Sequence, residues 1–382
     1  MGYRHIDIAC AQSAKYAGSA CGDVVKVHRT ATATLLACAD GLGSGIKANL
    51  AATMCISRLI KLMDGGFSLR EAFATLVRTM NDAREPGLPF AAFSVVRFLS
   101  NGETTVLSYE MPPPVLVAYN TVAPLRQRPV ERNGALIGEA SCYLDEGEAL
   151  MLVSDGITQA GLGNGMGEGW GMEGLCRYVR SRLSSKQPMG ELADLVHNEA
   201  RRYWGEHGGD DCTATAAVCR KGRVVTLFTG PPISKKKDYA VATRFLQNDG
   251  VKVLCGATTA KLVAQHLGKS LEVSDDSLQS IAPPHYRLDG IDLVTEGAVT
   301  LNQVYNILEE NPENYEPNSG VSKLCGLLRD ADRINFIVGR SPNLAEGDIA
   351  FRQQGILPRT TIVPLIAQKL EETGKLVVVE YV

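Results

Sequence analysis

The sequence predicts an α+β layered domain followed by a smaller α/β domain with a mainly parallel sheet. The chain has 382 residues, which is about two domains at roughly 150 residues each. Before residue 230, helical segments and β-type runs fall into separate stretches. After residue 237, short apolar runs alternate with helical segments. Two prolines and three lysines within 230–237 separate a strand-like run at 223–229 from a helix-like one at 239–248 and indicate a linker. The predicted domains are therefore 1–229 and 238–382.

In the first domain, helical and β-type patterns are both clear. Ser68 and Glu71 have capping-box spacing, and apolar residues then recur at helical period as far as Met80. A second amphipathic helix is predicted over 46–63. Runs rich in β-branched and aromatic residues predict the strands, at 93–98, 104–109, 115–119, 149–153 and 213–219.

The second domain is predicted from four short apolar runs separated by helical segments. Such runs are typical of strands that are buried on both faces of a parallel sheet. The runs are 251–255, 291–295, 334–338 and 375–381, and the helical segments include 260–267 and 360–372.

Composition and charge exclude several classes of protein. Hydrophobic residues make up 45% and charged residues 21%, as in a globular protein with real cores. The net charge of −3 gives no overall positive potential that would attract nucleic acid. No apolar run reaches the ~18–20 residues of a membrane span. The ten cysteines are scattered without a CxxC pair, which favours free thiols in a reducing cytoplasm. We therefore expect a cytoplasmic protein without nucleic-acid or membrane partners.

Three acidic motifs of the first domain share one design. Asp40-Gly41 and Asp155-Gly156 each follow an apolar run, and Asp210-Asp211 precedes one. Aspartates at strand ends next to glycine expose carboxylates and backbone carbonyls, which are the ligands that Mg²⁺ and Mn²⁺ prefer. A single Asp-Gly pair is usually a turn, and Asp210-Asp211 alone could cap a strand. Spacing alone leaves a divalent-metal site and a set of turns as alternatives.

The order of these motifs resembles the stage II sporulation protein E branch of the metal-dependent, type 2C protein phosphatases. The resemblance covers about residues 1–229. It is carried by Gly22-Asp23, Asp40-Gly41-x-Gly-x-Gly, Pro112-Pro113-Pro114, Ser154-Asp155-Gly156-Ile157 and Asp210-Asp211-x-Thr213. It implies an αββα sandwich with two divalent cations, Mn²⁺ or Mg²⁺, bound between the sheets.

The resemblance also implies a role for each acid. Asp40 would bridge both metals, and the carbonyl of Gly41 would help to bind one of them. Asp155 and Asp210 would complete the ligands of the other metal. The acids expected to hold metal-bound waters are Asp23 and Asp211.

The implied activity is hydrolysis of phosphoserine and phosphothreonine in a regulatory protein of bacterial signalling. A water shared by the two metals would attack phosphorus, so no cysteine or serine nucleophile is needed. Leu42 stands where many type 2C enzymes carry a histidine, which leaves the general acid unassigned. His207 is the histidine nearest in sequence to Asp210 and is the histidine to test as the general acid.

Two other functions stay open. The first domain could be a partner-binding module on a phosphatase-like fold, without turnover. Alternatively, the main activity could be small-molecule binding by the second domain, where Gly256, Thr258 and Thr259 follow a strand and begin a helix. That pattern also suits a plain N-capped helix. A small-molecule or protein effector at this domain, and a homodimer, are compatible with the sequence.

The glycine-rich segment 161–174 also has two interpretations. It is either a flexible surface loop or a mobile flap beside the metals, with Trp170 as its anchor on the domain or on a partner.

Overall fold

The computed structural model divides the chain into two units between Lys221 and Gly222. The structure describes residues 2–83, 88–119, 121–132, 135–205, 209–273, 285–311, 313, 315, 319–342, 353 and 355–382. Among the helices of these residues, none combines the length and the apolarity that crossing a membrane requires.

The first unit contains two antiparallel sheets. In spatial order, the five-stranded sheet consists of β1 (Arg4–Ser13), β11 (Cys212–Lys221), β10 (Ala149–Val153), β6 (Val115–Ala118) and β7 (Thr121–Pro124). The six-stranded sheet consists of β2 (Asp23–Arg29), β3 (Ala33–Gly41), β4 (Ala91–Leu99), β5 (Glu103–Tyr109), β9 (Ala135–Tyr143) and β8 (Arg128–Arg132).

Helices cover the outer faces of both sheets. Two helices, α1 (Gly45–Asp64) and α2 (Leu69–Asp82), pack on the six-stranded sheet. The five-stranded sheet is covered by α3 (Asp155–Thr158), α4 (Gly171–Ser184) and α5 (Leu192–Trp204), with a 3₁₀ turn at Met189–Glu191. The predicted αββα sandwich is confirmed, and so is the capping box, since Ser68 and Glu71 bond reciprocally at the start of α2.

The layer order explains the sequence of β3. Leu35, Ala37 and Ala39 face the helices, whereas Leu36 and Cys38 face the other sheet. Both faces are buried, because each sheet has helices on one side and a sheet on the other. A continuous apolar run therefore replaces the usual alternation of polar and apolar residues.

The second unit is built on one seven-stranded sheet with the order β14, β15, β16, β13, β12, β17, β18. The last five strands in this spatial order are parallel to one another. The pairs β14–β15 and β15–β16 are antiparallel. Their bounds are β12 (Val224–Thr229), β13 (Val251–Cys255), β14 (Glu272–Val273), β15 (His285–Arg287), β16 (Leu293–Thr295), β17 (Arg333–Val338) and β18 (Leu376–Tyr381). The predicted, mainly parallel sheet is confirmed.

Helices lie on both faces of this sheet. One face carries α6 (Asp238–Gln247) and α7 (Ala257–Leu267), after a 3₁₀ turn at Lys235–Lys237. The other face carries α8 (Ala298–Ile307), α9 (Gly320–Asp330) and α10 (Arg359–Glu372).

The structure places the domain boundary earlier than the predicted 230–237 linker. Strand β12, predicted at the end of the first domain, lies at the centre of the second sheet between β13 and β17. Leu227 packs on one face and Phe228 on the other, as expected for an interior parallel strand. Pro231 and Pro232 therefore follow the end of this strand, inside the second unit.

Candidate metal centre

Five aspartates converge where the strands of the two sheets of the first unit end or begin. Asp23 is the first residue of β2, and Asp40 is the penultimate residue of β3. The two strands pair with Asp23 directly opposite Asp40. Directly opposite residues of an antiparallel pair have neighbouring side chains on one face of the sheet, so the register brings these two carboxylates together.

Asp155 comes from the end of β10, where it is the first residue of α3. The preceding Ser154 is bonded to the start of β11, since its N–H donates to the Thr213 carbonyl and its hydroxyl accepts from the Thr213 N–H at 2.9 Å. On the following turn, Gln159 Nε2 donates to Asp155 Oδ2 at 2.9 Å. Ser154 thus holds the backbone before Asp155, and Gln159 holds one oxygen of its carboxylate.

Asp210 and Asp211 stand directly before β11. The Asp211 N–H donates to Asp210 Oδ1 at 2.9 Å. Lys15 contacts both acids, because its N–H donates to Asp211 Oδ1 at 2.8 Å and its Nζ lies 3.7 Å from Asp210 Oδ1. The second oxygen of Asp211, Oδ2, is buried without a hydrogen-bond partner.

Two residues of the centre, Lys15 and Gln159, were not predicted from the sequence. Gln159 had a signal, since it lies four residues after Asp155 and would share its face if a helix began there. Lys15 had none, because it approaches the acids from a loop almost 200 residues away in sequence.

Burial and mutual repulsion make the cluster unfavourable in its fully ionised form. Burial, followed by the negative charges of Asp23 and Asp155, raises the pKa of Asp40 to about 9. Burial also raises the pKa of Asp23 to about 6, against the opposing effect of the Thr213 and Ser154 hydroxyls. The pKa of Asp155 is raised as well, chiefly by burial. A bound cation would relieve both the burial cost and the repulsion.

The donor atoms fit hard divalent cations. All five side chains offer only oxygen, and both carboxylate oxygens of Asp23 are buried without a hydrogen bond of ordinary geometry. A buried carboxylate without a partner is costly unless a cation or a bound water satisfies it. In the described part of the chain, no three acidic, imidazole or thiol side chains already enclose a metal position. Binding would therefore draw the carboxylates closer together.

Gly41 fits its predicted position beside Asp40. A Cβ at this residue would lie 2.0 Å from the Ala48 carbonyl oxygen, so only glycine allows the strand end to pack under α1. The N–H of Gly41 also donates to the Gly22 carbonyl, which joins the segments before Asp23 and after Asp40.

Three described histidines make structural contacts. His5 contacts the Tyr3 hydroxyl and Asp7, and His28 lies 3.3 Å from Asp64. His197 Nε2 is 2.9 Å from Ser13 Oγ. His207 lies outside the described residues, so the general acid stays unassigned.

The cysteines are free, and most are buried. Cys212, which follows Asp211, has a pKa raised to about 12, chiefly by burial. A thiol with so high a pKa stays protonated at neutral pH and is a poor nucleophile.

The glycine-rich segment is anchored within its own unit. Trp170 is 8% exposed and packs against Tyr178 and Tyr203, with ring centroids 5.5 and 5.4 Å apart. Asn164 Nδ2 also donates to the Trp204 carbonyl. Trp170 therefore anchors the segment on its own domain.

In the second unit, the predicted ligand loop forms the start of α7. Gly256 is the N-cap with φ +120°, and Thr258 is exposed. Thr259 is buried, and its hydroxyl accepts from the Gly230 N–H at 2.8 Å. Because the Thr259 hydroxyl is used in this bond, the groups of the loop that a ligand could contact are Thr258 and the N–H groups at the start of α7.

The first unit is thus a four-layer sandwich with an acidic cluster among its strand ends. The family model of Stage II sporulation protein E (SpoIIE) matches residues 30–220, which is half of the chain. The chain therefore belongs to the SpoIIE family. A search of curated protein sequences gives no match.

Solved structures of related architecture resemble the chain at low sequence identity. The RsbU and RsbW domains of a Mycobacterium tuberculosis protein match with 20% identity and a TM-score of 0.49, covering 64% of this chain and 69% of that one. The PP2C phosphatase domain of Bacillus subtilis SpoIIE, with a fragment of its regulatory domain, matches with 18% identity and a TM-score of 0.48, covering 58% and 65%.

Proposed function

We propose that the protein is a divalent-metal-dependent phosphoprotein serine/threonine phosphatase. The observation that carries the proposal is the convergence of five aspartates from three separate parts of the SpoIIE-family unit. Asp23 and Asp211 keep buried oxygens without a hydrogen bond of ordinary geometry. Without a cation, buried carboxylates of this kind cost folding free energy. The SpoIIE family to which the chain belongs supports a catalytic role for such a cation.

The proposed ligands are Asp40, the carbonyl of Gly41, Asp155 and Asp210, with Asp23 and Asp211 acting through water. Two Mn²⁺ or Mg²⁺ ions at this site would activate water for attack on phosphorus and offset the charge on the phosphoryl oxygens.

The chain's own residues prepare this site. Gln159 orients the Asp155 carboxylate by donating to its Oδ2. Lys15 is a cation beside Asp210. Without bound metals, the clustered carboxylates would repel a phosphate dianion, so we expect activity to depend strictly on added metal.

We propose a phosphorylated regulatory protein of bacterial signalling as the substrate, in the cytoplasm. Free cysteines suit a reducing compartment. A neighbouring structure carries an RsbW domain beside its RsbU domain, which supports a signalling context. We propose the second unit as a regulatory domain, because the carboxyl ends of parallel strands are a usual place for ligands.

The non-catalytic alternative has one observation in its favour. Within the described residues, the acids do not yet enclose a metal position. A scaffold that binds partners without turnover would show weak Mn²⁺ affinity, unchanged when Asp40 is replaced.

The decisive experiment measures hydrolysis of p-nitrophenyl phosphate and of a phosphothreonine peptide with Mn²⁺, Mg²⁺ or EDTA. We expect metal-dependent turnover in the wild type and its loss in Asp40→Asn. Calorimetry of Mn²⁺ binding to the same two proteins distinguishes an enzyme that awaits a partner from a scaffold. No turnover together with no Asp40-dependent Mn²⁺ binding would overturn the proposal.

A further inference from the structure

The outer face of α1 beside the metal centre is apolar and exposed to solvent. Leu42, Ile46, Leu50 and Met54 are 74%, 77%, 56% and 56% exposed. The last three recur every four residues, so they lie on one side of the helix. Single exposed apolar residues are normal, but a contiguous apolar surface usually marks an interaction site.

This stripe leads into an apolar groove. The groove has a volume of about 540 Å³ and lies between α1, the end of α2 and the residues before β4. Met54 and Leu88 line it, and Leu88 is itself 50% exposed. The groove also adjoins the metal loop, because the Leu42 N–H donates to the Phe90 carbonyl at 2.9 Å, two residues after Leu88. We call the stripe and the groove together the α1 surface.

The charges around the α1 surface are mainly positive. Lys47, Arg58 and Lys61 are exposed on α1, and the last two line the groove. The single acid of α1, Asp64, is the last residue of the helix and faces His28. Asp82 lines the groove as the one acid there among the described residues. The complement of this surface is an apolar segment with acidic residues beside it.

We propose that the α1 surface docks the phosphoprotein substrate through an amphipathic helix with an apolar stripe and acidic flanks. The inference rests on the proposed phosphatase function. The surface starts at Leu42, directly after Gly41, so a segment bound there holds a nearby phosphorylated residue at the aspartates. Tethering of this kind raises the effective concentration of the phosphoryl group at the site.

Charge argues against a second copy of the chain as the occupant. In a two-fold dimer the same patch meets itself. The interface would then contain Lys47, Arg58 and Lys61 from both copies, and this concentration of like charge is unfavourable.

The first test measures binding without catalysis. A fluorescent, unphosphorylated helical peptide with leucine at four-residue spacing and glutamate flanks is titrated with the full chain, and its anisotropy is followed. A matched peptide carries serine for leucine. We expect binding of the leucine peptide alone, weakened at least tenfold in the double variant Leu50→Ser/Met54→Ser. The control Leu136→Ser, also at an exposed leucine (65%) but on β9, should bind as the wild type does.

The second test adds turnover. The same helices are joined by a short flexible linker to a phosphothreonine segment, and kcat/KM is compared with that for p-nitrophenyl phosphate. We expect the leucine helix to raise kcat/KM about tenfold in the wild type and not in the double variant. Turnover of p-nitrophenyl phosphate needs no docking and should be equal in both proteins.

The outcomes separate the two proposals. Peptide binding that needs Leu50 and Met54, with no turnover of any substrate, would support docking and count against the phosphatase. Turnover without any gain from the leucine helix, or with an equal gain in the double variant, would overturn the docking inference. A wild-type dimer that dissociates in the double variant, or binding to phosphatidylglycerol vesicles lost in it, would also overturn it.

Discussion

At the scale of single residues, the metal centre is a set of carboxylates that the fold holds together against their repulsion. Burial and the charges of Asp23 and Asp155 raise the pKa of Asp40. The sequence revealed Asp40 and Asp155 because each stands beside a glycine after an apolar run, and Asp210-Asp211 because the pair directly precedes one. Asp23 was indicated only by the family resemblance. The sequence could not reveal the spacing of these acids, which depends on the pairing of β2 with β3 and of β10 with β11.

Replacing Asp155 with asparagine should have opposite effects on the metal-free and metal-bound protein. Asparagine keeps an oxygen for the bond from Gln159 but removes one negative charge from the cluster. We expect Tm in EDTA to rise by about 2–4 °C, as for ~1 kcal/mol in a unit of this size. The increase in Tm on adding Mn²⁺ should largely disappear. A lower Tm in EDTA would show that repulsion is not what limits stability at this site.

His197 should make stability depend on pH near neutrality. Burial, followed by the charge of Arg201, lowers its pKa in the folded protein, while Asp194 opposes the shift. The unfolded chain takes up a proton at about pH 6.5, so the unfolded state gains protons first on acidification. The contribution of neutral His197 is present above that pH and is lost as the pH falls through it.

The variant His197→Gln keeps a polar group near Ser13 Oγ but cannot titrate. Between pH 7.5 and 5.5, in EDTA, its Tm should fall less than that of the wild type. Parallel Tm curves for the two proteins over this range would contradict the assigned pKa shift.

At the scale of elements, the centre depends on a close approach between α3 and the start of β11. A Cβ on Gly156 would lie 2.1 Å from the Asp211 carbonyl oxygen. Trp204 Nε1 also donates to the Gly156 carbonyl at 2.8 Å, which ties the end of α5 to the same point. The positions of Asp155 and Asp211 are thus set by backbone packing.

Gly156→Ala should therefore separate these elements and weaken metal binding. We expect a loss of about 1–3 kcal/mol in stability, typical of overpacking, together with a fall in Mn²⁺ affinity measured by calorimetry. Gly167→Ala is the matched control, since a Cβ there meets nothing within 4 Å. Equal Mn²⁺ affinity in both variants would mean that the close approach does not position the acids.

Elements with local signals could be predicted, and those that depend on distant pairing could not. The start of α2 follows from Ser68 and Glu71 alone, which bond to each other within one turn. Strand β12 was recognised as a strand but assigned to the wrong domain. Its apolar run suits any buried strand, and only its pairing with β13 and β17 shows the sheet to which it belongs.

At the scale of the whole molecule, the boundary between Lys221 and Gly222 predicts which fragments fold. Residues 222–382 contain all seven strands of the second sheet, whereas 238–382 lack the central strand β12. We expect 222–382 to unfold cooperatively, as followed by circular dichroism. The fragment 238–382 should aggregate or lack a transition, because the facing edges of β13 and β17 lose their partner. Cooperative unfolding of 238–382 would argue against this boundary.

Both tryptophans of the chain, Trp170 and Trp204, belong to the first unit. Trp170 anchors the glycine-rich segment, and Trp204 bonds to Gly156 beside the aspartates. Emission excited at 295 nm therefore comes from the first unit alone, and the second unit is silent at that wavelength. The protein carries its own optical probe, with which denaturation of the SpoIIE-family unit can be followed while the other unit unfolds unseen.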